Sequence, residues 1–470
     1  MASKNLPIIN SKVAESALQV DGTRKKVVPA DVRGRFIWAR RAVFALLIAV
    51  WAGLPWLKIK GNPALFIDVP HRRFYIFGAT FNSQDIWLVF FLMTGTAFAL
   101  VVTTSLLGRV WCGWACPQTV FMESFFRPIE RLIGGPREKR LRRSAESGFD
   151  AVWRGILTHV LFLAAALVVA HIFVSYFVSL PALWAMMHQS PGEHPEAFGW
   201  MVALTVLFYA NFAHFREQLC VVVCPYGRLQ SVLLDDDSLV IGYDEKRGEP
   251  RGKAAKAEKS DTAEKAEPLG DCVDCKRCVV VCPTGIDIRN GLQIDCVACT
   301  QCIDACDEIM DKLKRPRGLV RYDSLRGLRH EKKRILRPRL AVYAVLGVAG
   351  LVAATLAFRR HQSFEASMFR VPGAPFVREN GQIRNSYTVH LVNKQAQTET
   401  FLIEPFAQPG YSFNVPTPEV SLESMSSRSI PVVVTMPQAD YHGDTRIKVK
   451  VVHKGGTEVK ELSSTFLGAR

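Results

Sequence analysis

CVDCKRCVVVCPTGIDIRNGLQIDCVACTQCIDAC, residues 272–306, holds eight of the 12 cysteines in this chain of 470 residues. It contains two runs of the same spacing, Cys-x2-Cys-x2-Cys-x3-Cys, which begin at Cys272 and Cys296. Such runs are typical of two 4Fe–4S clusters, each held by three cysteines of one run and the fourth of the other. The spacing predicts one cluster on Cys272, Cys275, Cys278 and Cys306 and a second on Cys296, Cys299, Cys302 and Cys282.

Zinc is the chief competing interpretation, because four-cysteine zinc sites also use Cys-x2-Cys pairs. Three short spacings followed by a distant fourth cysteine favour a cluster over a single tetrahedral ion. Pro283 follows the first run, whereas Asp307 follows the second. A proline in that place shapes the turn and is not a ligand, so the difference does not weaken the prediction. Two adjacent clusters indicate a protein that transfers single electrons.

The overall composition indicates a membrane protein rather than a nucleic-acid-binding one. The net charge of +16 is concentrated beside apolar segments, which favours contact with a lipid membrane surface. Cluster-binding thiols need a reducing compartment, and no cysteine follows Cys306. Residues 1–35 are polar and basic, so we expect no signal peptide there.

Five segments approach the ~20 apolar residues that a membrane-spanning helix requires. We predict spans at 37–57, 86–107, 156–180, 198–215 and 340–358. With the N-terminus inside, the 109–154 loop carries nine Lys/Arg on the inner side, and the 182–197 loop carries none on the outer side. This is the positive-inside pattern, which puts the cysteine runs in the cytoplasm and residues 359–470 outside.

We predict a multi-domain membrane protein, with an α-helical transmembrane bundle of about five spans, a cytoplasmic dicluster ferredoxin domain (α+β) and a C-terminal all-β immunoglobulin-like sandwich. The sandwich is inferred from strand-like stretches such as 386–392, 429–436 and 447–452, separated by Pro/Gly turns. The predicted order is a cytoplasmic N-terminal tail (1–36), a four-span membrane domain (37–242), a flexible linker (243–270), the dicluster domain (271–315), a basic juxtamembrane segment (316–339), the fifth transmembrane helix (340–358) and a periplasmic immunoglobulin-like domain (359–470).

The four remaining cysteines form two Cys-x3-Cys-Pro units, each directly after a predicted span. They are Cys112 and Cys116, then Cys220 and Cys224. On a helix, a spacing of four would put both sulfurs of a pair on one face. The repeat predicts that all four thiols meet at one membrane surface. Thiolates suit copper(I), iron–sulfur iron or reversible dithiol chemistry, and buried cysteines can also act as plain apolar residues.

Several histidines and methionines are weaker candidates. His159 and His214 lie near the inner ends of the third and fourth spans, where they would assist a metal or a quinone, or simply pack between helices. Met186, Met187, His188 and His194 lie in the predicted outer loop, where copper binding competes with ordinary interfacial packing.

Four stretches resemble one known family, that of the cytochrome c oxidase accessory protein CcoG, also called FixG or RdxA. They are GIDIRNGLQ (285–293), CVACTQCIDACD (296–307), WCGWACPQ (111–118) and CPYGR (224–228). The aspartate after the last cysteine belongs to the pattern of that family. The resemblance implies a multi-pass protein of the bacterial inner membrane that reduces Cu(II) to Cu(I) for assembly of cbb₃-type cytochrome c oxidase.

Three functions therefore compete. The first is a cupric reductase with a copper or dithiol site on Cys112, Cys116, Cys220 and Cys224, an unidentified cytoplasmic electron donor, and oxidase subunits or copper carriers as partners. The second is a conduit between quinol and a respiratory partner, similar to the membrane ferredoxins of nitrate and nitrous-oxide respiration. The third is a non-enzymatic scaffold for oxidase assembly.

Overall fold

The computed structural model describes residues 27–468 except 60–61, 71–72, 83–84, 146–147, 253–268, 335–336, 360–363, 396, 424–425 and 457. Its α-helices are α1 (Arg35–Gly53), α2 (Ile86–Leu107), α3 (Val110–Trp114), α4 (Pro117–Phe121), α5 (Arg127–Gly134), α6 (Arg137–Ala145), α7 (Phe149–Val174), α8 (Leu180–Met187), α9 (Pro195–Tyr209), α10 (Pro225–Leu233), α11 (Glu245–Gly248), α12 (Arg277–Val280), α13 (Gln301–Lys312), α14 (Leu325–Leu328) and α15 (Pro338–Arg359). Three π-helices, a form frequent at functional sites, cover Met122–Phe126, Ala210–Phe215 and Leu219–Val223.

Five helices in the described part of the chain are long and apolar enough to cross a membrane, as predicted. They are α1, α2, α7, α15 and α9 with its π-helical continuation. The third begins at Phe149, earlier than the predicted residue 156. Its first two turns contain one acidic and one basic residue, and the carboxylate of Asp150 pairs with Arg154 at 2.8 Å, four residues on. An ion pair at this spacing stabilises a helix but does not raise the hydropathy of the segment. The apolar pattern therefore predicts a start that is seven residues too late.

The described residues between α1 and α2 form five short strands: β1 (Lys58–Ile59), β2 (Asn62–Pro63), β3 (Leu65–Asp68), β4 (Arg73–Ile76) and β5 (Ala79–Asn82).

A small domain surrounds the two cysteine runs. In this domain, strand β6 (Val240–Tyr243) pairs antiparallel with β7 (Val320–Asp323), α13 packs on β7, and α12 packs on α13. Its apolar core contains Ile241, Ile303, Met310, Leu319 and Val320. Two cysteine-bearing helices are thus fixed against one strand pair.

The predicted linker (243–270) and juxtamembrane segment (316–339) differ from what the structure describes. Asp244 is buried and accepts hydrogen bonds from the backbone N–H of Arg247 and from Arg321 Nη1, at 3.1 Å and 2.7 Å. Residues 244–252 are therefore part of the cysteine-run domain, and β7 and α14 lie inside the basic segment. Charged residues in these stretches form buried ion pairs. Composition alone cannot distinguish such a stretch from a solvated linker. The rest of the predicted linker, 253–268, lies outside the described residues.

The cysteine-run domain is also attached to the start of the first span. The carboxylate of Asp304, on α13, accepts hydrogen bonds from the N–H groups of Phe36 and Ile37 at 3.2 Å and 2.8 Å. A carboxylate in this place accepts hydrogen bonds from N–H groups that have no partner within α1, and it lies at the positive end of the α1 helix dipole. A Cβ on Gly34 would lie 2.2 Å from Asp304 Cγ, so only glycine allows this approach.

The C-terminal part is an all-β sandwich, as predicted. One sheet has the order β12 (Ser412–Asn414), β14 (Ser427–Pro437), β10 (Gln382–Asn393), β8 (Phe364–Arg370), with β9 (Val377–Glu379) also on β10. The other has the order β13 (Glu419–Leu422), β11 (Glu399–Pro405), β15 (Thr445–His453), β16 (Val459–Phe466). Alternate residues of β15, such as Ile447, Val449 and Val451, are fully buried between the sheets.

A buried pair in this sandwich should make its stability depend on pH. Glu399 Oε2 lies 2.8 Å from His453 Nε2, and this hydrogen bond holds the pKa of Glu399 below its usual range. A carboxyl with a lowered folded pKa stabilises the fold above its unfolded pKa of about 4.3, and this contribution disappears as the pH falls through the folded pKa. Glu399→Gln should therefore speed hydrogen exchange in β11 and β15 several-fold at pH 6–7 but little near pH 3.

The matched control is Glu461→Gln, which breaks an exposed pair with Lys448 at 3.9 Å. It should change exchange little at either pH. An equal effect of the two substitutions at neutral pH would contradict the role given to the buried pair.

Candidate metal and electron-transfer centre

The two cysteine runs adopt the same local backbone conformation. The residue two positions after the first cysteine is left-handed in both runs, at Asp274 (φ 50°) and Ala298 (φ 51°). So is the residue after the second cysteine, at Lys276 (φ 55°) and Thr300 (φ 64°). Such geometry costs about 1–3 kcal/mol each for a residue with a side chain and occurs mainly at functional sites. The turns put the third cysteine of each run on the first turn of α12 or α13.

Each predicted set of four cysteines borders its own cavity. A cavity of about 370 Å³ is bordered by the first set, Cys272, Cys275, Cys278 and Cys306. A second, of about 330 Å³, is bordered by Cys282, Cys296, Cys299 and Cys302, and also by Cys278. The structure thus brings together three thiols of one run and the fourth of the other, twice. This arrangement fits a cube held at its corners, and the ligand assignment itself stays a prediction.

Backbone donors and burial both act on the thiols of the cysteine runs. No group of three or more Cys, His, Asp or Glu side chains in the described residues is arranged to hold one metal ion. Backbone N–H groups of Ala298, Gln301 and Val320 donate toward Cys296, Cys299 and Cys306 respectively. Burial raises the pKa of Cys278, Cys299 and Cys306 to about 12, so metal binding there must displace thiol protons.

The second run packs directly on the segment that follows the second span. Arg109 Nη1 donates a hydrogen bond to the carbonyl of Cys296 at 2.7 Å and another to that of Ile294. A Cβ on Gly113 would lie 2.3 Å from the carbonyl oxygen of Ala298, so the backbones touch at that glycine. Trp114 Nε1 donates to the hydroxyl of Tyr322, which itself donates to the carbonyl of Ala298, both at 3.1 Å.

The Cys-x3-Cys-Pro units do not form single helices, contrary to the expectation that both sulfurs of a pair lie on one helix face. Cys112 lies in α3, and Cys116 is the extended N-cap of α4, with φ −62° and ψ 127°. Cys220 lies in a π-helix, and Cys224 is the extended N-cap of α10. The following proline explains both breaks, because it disfavours helical geometry in the preceding residue and prefers the first helical position.

The four membrane-proximal thiols nevertheless come together, as the repeat predicts. Burial first, and then the charge of neighbouring cysteines, raises the pKa of Cys112 to about 12 and also raises the pKa of Cys220. Every pair among the four sulfurs is close enough for such an interaction, since Cys116 and Cys224 also interact with each other. The four thiols are therefore neighbours, although among the described residues no three of them are arranged to hold one metal ion.

A third cavity, of about 340 Å³, joins the two sets of thiols. It is bordered on one side by Cys220 and on the other by Cys299 of the second run. Its wall carries buried charges: Arg127 Nη1 lies 3.1 Å from Glu123 Oε1, and Arg127 also pairs with Glu217. Burial raises the pKa of Glu123, but Arg127 and nearby arginines outweigh it and hold the pKa below its usual range.

Arg127 should be essential for the stability of this region. Arg127→Leu leaves the carboxylates of Glu123 and Glu217 unpaired in a buried place, which costs about 3–5 kcal/mol. We expect the membrane domain to melt several degrees lower when thermal unfolding is followed by tryptophan fluorescence. Arg142→Leu, at an exposed position of α6, is the control and should leave the transition within about 0.5 kcal/mol of the parent. Equal melting of the two variants would refute the buried network.

The structure also brings together two of the weaker candidates. The rings of His159 and His214 are 6.3 Å apart, and the hydroxyl of Tyr209 lies 3.0 Å from His159 Nδ1. In the predicted outer loop, His188 Nδ1 donates to the carbonyl of Trp184 at 2.8 Å, and His194 Nε2 lies 2.6 Å from Gln189 Oε1. Met186 and Met187 end the short helix α8 beside them. These contacts satisfy one nitrogen of each outer histidine.

Comparison with known proteins also indicates iron–sulfur binding by the cysteine-containing segments. The family model of a 4Fe-4S dicluster domain matches residues 215–325, and that of a 4Fe-4S binding domain matches residues 87–136. A third, the IG-like fold at the C-terminus of FixG, matches residues 354–469. Protein RdxA of Cereibacter sphaeroides is 32% identical, over 95% of this chain and 98% of that protein. The chain belongs to the FixG/RdxA family.

Two further relatives of the FixG/RdxA family are also similar to this chain. Protein RdxB of Cereibacter sphaeroides is 35% identical over 81% of this chain and 82% of its own length. Nitrogen fixation protein FixG of Rhizobium meliloti is 32% identical over 83% of this chain and 81% of its own length. The family expected from the sequence is confirmed. Together with the matched domains, it gives this chain an iron–sulfur electron-transfer function in a membrane.

Two features of the centre escaped the sequence analysis. The contacts of Arg109 and Gly113 with the second run join residues more than 180 positions apart, so no local pattern reveals them. The glycine inside Cys112-Gly-Trp-Ala-Cys116 was the available signal, because glycine often marks a close approach of two backbones. The match of residues 87–136 to a 4Fe-4S binding domain favours iron–sulfur iron among the roles that the sequence leaves open for Cys112 and Cys116.

Proposed function

We propose that this protein reduces Cu(II) to Cu(I) at the membrane-proximal thiols, for the assembly of a cbb₃-type cytochrome c oxidase. The observation that carries the proposal is the cavity bordered by both Cys220 and Cys299, which brings a predicted cluster ligand next to a set of soft donors. The resemblance to oxidase accessory proteins supports the choice of copper as substrate.

We propose Cys272, Cys275, Cys278 and Cys306 as ligands of the first cluster and Cys296, Cys299, Cys302 and Cys282 as ligands of the second. Bound clusters supply one-electron carriers of low potential. The apolar side chains of Ile241, Ile286 and Ile288 border the second cavity and lower its dielectric constant. The N–H groups that donate toward the sulfurs offset their negative charge.

We infer the direction of electron flow from the exposure of the cysteines in the two runs. Cys275 of the first run is exposed, whereas Cys299 and Cys302 of the second are buried. We therefore infer that a cytoplasmic one-electron donor docks on the side of the first run. Electrons then leave on the side of the second run, where Arg109 and Gly113 hold the loop against the membrane segment.

The chemical step at the exit is a single reduction. Cu(II) gains one electron, supplied by the donor protein, and becomes Cu(I); no bond of the protein is formed or broken. Thiol sulfurs prefer Cu(I), whereas harder ligands suit Cu(II), so transfer to thiols favours the reduced product. Cys112, Cys116, Cys220 and Cys224 are the proposed site, and Cu(I) then leaves for a copper carrier or an oxidase subunit.

The proposal includes an orientation in the bacterial inner membrane. The basic loop 109–154 and the basic segment 314–339 favour a cytoplasmic position for the cysteine runs. The sandwich at 359–470 would then be periplasmic, where oxidase subunits are its proposed partners.

The test is anaerobic reduction of Cu(II) by the full-length protein. The purified protein is reduced, excess reductant is removed, Cu(II) is added, and Cu(I) is followed with a specific chelator. Replacing Cys112, Cys116, Cys220 and Cys224 with serine should slow the reaction at least about tenfold, a change of about 1.4 kcal/mol in activation free energy. An unchanged rate would refute the copper site.

Iron analysis of the same variant separates two roles of the four thiols. An iron content equal to that of the parent is expected if they bind copper or act as a dithiol pair. A loss of about four irons per chain would show that they hold a further cluster, as the 4Fe-4S match at residues 87–136 allows.

A quinol-linked conduit is the second candidate, and the contact between His159, His214 and Tyr209 favours it. Histidine and tyrosine beside the end of a span can bind the hydroxyl groups of a quinol. Quinol-driven bleaching of cluster absorbance in membranes, lost in His159→Phe, would support this candidate. Fast oxidation of the reduced protein by Cu(II), with no response to quinol, would support the first.

A further inference from the structure

A large cavity lies at the end of the third and fourth spans from which the cysteine segments emerge. It has a volume of about 1,020 Å³, and four arginines border it: Arg140, Arg143, Arg154 and Arg216. Arg154 lies near the start of α7, and Ala213, also in the wall, lies near the end of the fourth span. The cupric-reductase proposal does not use this cavity, whereas His159 of the quinol candidate also borders it.

The arginines bordering the cavity outnumber the acids with which they pair. Glu130 pairs with Arg140 at 3.4 Å and Arg216 at 2.5 Å, and Asp150 pairs with Arg143 at 3.1 Å and Arg154 at 2.8 Å. Asp31, which pairs with Arg131 at 2.6 Å, also interacts with Arg140, and the four guanidinium groups still outnumber these three carboxylates. Among the described residues, the buried Nε atoms of Arg140 and Arg216 have no hydrogen-bond partner. The excess of guanidinium groups at this cavity favours an anionic ligand.

Part of the cavity lining is apolar. Phe162, Ala151 and Ala213 border it together with Gly155, and these residues belong to α7 and to the end of the fourth span. A ligand of this cavity therefore needs an anionic part and an apolar part. A lipid at a membrane surface has both, an anionic head group and apolar acyl chains. Basic pockets between transmembrane helices bind the head groups of anionic lipids.

We propose that this cavity binds the phosphate of an anionic phospholipid, with the acyl chains lying along α7 and the fourth span. Guanidinium groups form paired hydrogen bonds to phosphate oxygens, which suits Arg143 and Arg154 on the outer rim. The inference concerns lipid binding and does not depend on copper or on quinol.

The test is lipid retention by the full-length protein. The protein is purified in a neutral detergent, exchanged with phosphatidylglycerol or phosphatidylcholine, and examined by native mass spectrometry. We expect one tightly held phosphatidylglycerol, with affinity about tenfold lower in Arg143→Gln and Arg154→Gln, as loss of a charged hydrogen bond implies. Arg142→Gln removes the same charge from an exposed neighbour on α6 and should bind as the parent does.

A second variant tests the cavity without altering its charge. A Cβ on Gly155 meets nothing within 4 Å, so Gly155→Met can fold with its side chain extending into the cavity. It should lose the tightly held lipid while keeping its iron and its melting temperature. Equal retention of phosphatidylglycerol by all variants, or of phosphatidylcholine and phosphatidylglycerol by the parent, would overturn the proposal. So would displacement of the lipid by inorganic phosphate, which would identify a site for a soluble anion.

Discussion

Cys302→Ser should remove about four of the eight irons expected for two clusters and abolish delivery of electrons to an added acceptor. Cys302 is buried at the start of α13 and borders the cavity of the second set of cysteines. Its loss leaves three of the four predicted ligands of the second cluster, whereas the first set keeps all four. The measurements are iron content, cluster absorbance, and the rate at which the reduced protein is oxidised by Cu(II).

Ile303→Val is the matched control, because it alters the next buried residue of the same helix at a cost of about 0.5–1.5 kcal/mol. It should keep all the iron. Loss of every iron in Cys302→Ser would show that the two sites assemble only together. Retention of every iron would exclude Cys302 as a ligand.

Much of the fold follows from local sequence patterns. Long apolar segments predict α2 and α15 almost to the residue, because no charged residue interrupts their interiors. Alternating residues such as Ile447, Val449 and Val451 predict β15 and its buried face. The cysteine spacing predicts which thiols share a cavity, because a repeated local turn fixes three of them.

The rest depends on contacts that are distant in the chain. The start of α7 depends on the pair of Asp150 and Arg154, and the order of residues 244–252 depends on a hydrogen bond that Arg321 donates to Asp244. The composition of the two stretches shows that charged residues are present but not which residues they pair with. The break inside each Cys-x3-Cys unit, by contrast, was predictable, since a proline follows the second cysteine. Convergence of the four thiols was correctly inferred from the repeat, although the helical geometry assumed for each pair was wrong.

Gly113→Ala should keep both clusters but uncouple the second run from the membrane-proximal thiols. The added Cβ would lie 2.3 Å from the carbonyl oxygen of Ala298 and 2.9 Å from that of Val297. Both are backbone atoms, so the loop itself must move away. Overpacking of this kind costs about 1–3 kcal/mol, which lowers the equilibrium constant for docking by roughly five- to 150-fold.

Two measurements distinguish loss of docking from loss of cluster binding in Gly113→Ala. Iron content should equal that of the parent, while hydrogen exchange in α3 and residues 294–299 should accelerate and oxidation by Cu(II) should slow. Gly199→Ala is the control, because a Cβ at this position of α9 meets nothing within 4 Å. If Gly113→Ala instead exchanges and reacts as the parent does, the loop tolerates the methyl group and electrons do not depend on this contact. A slowed reaction with unchanged exchange would place the effect on the thiols of Cys112 and Cys116, which flank the glycine, rather than on docking.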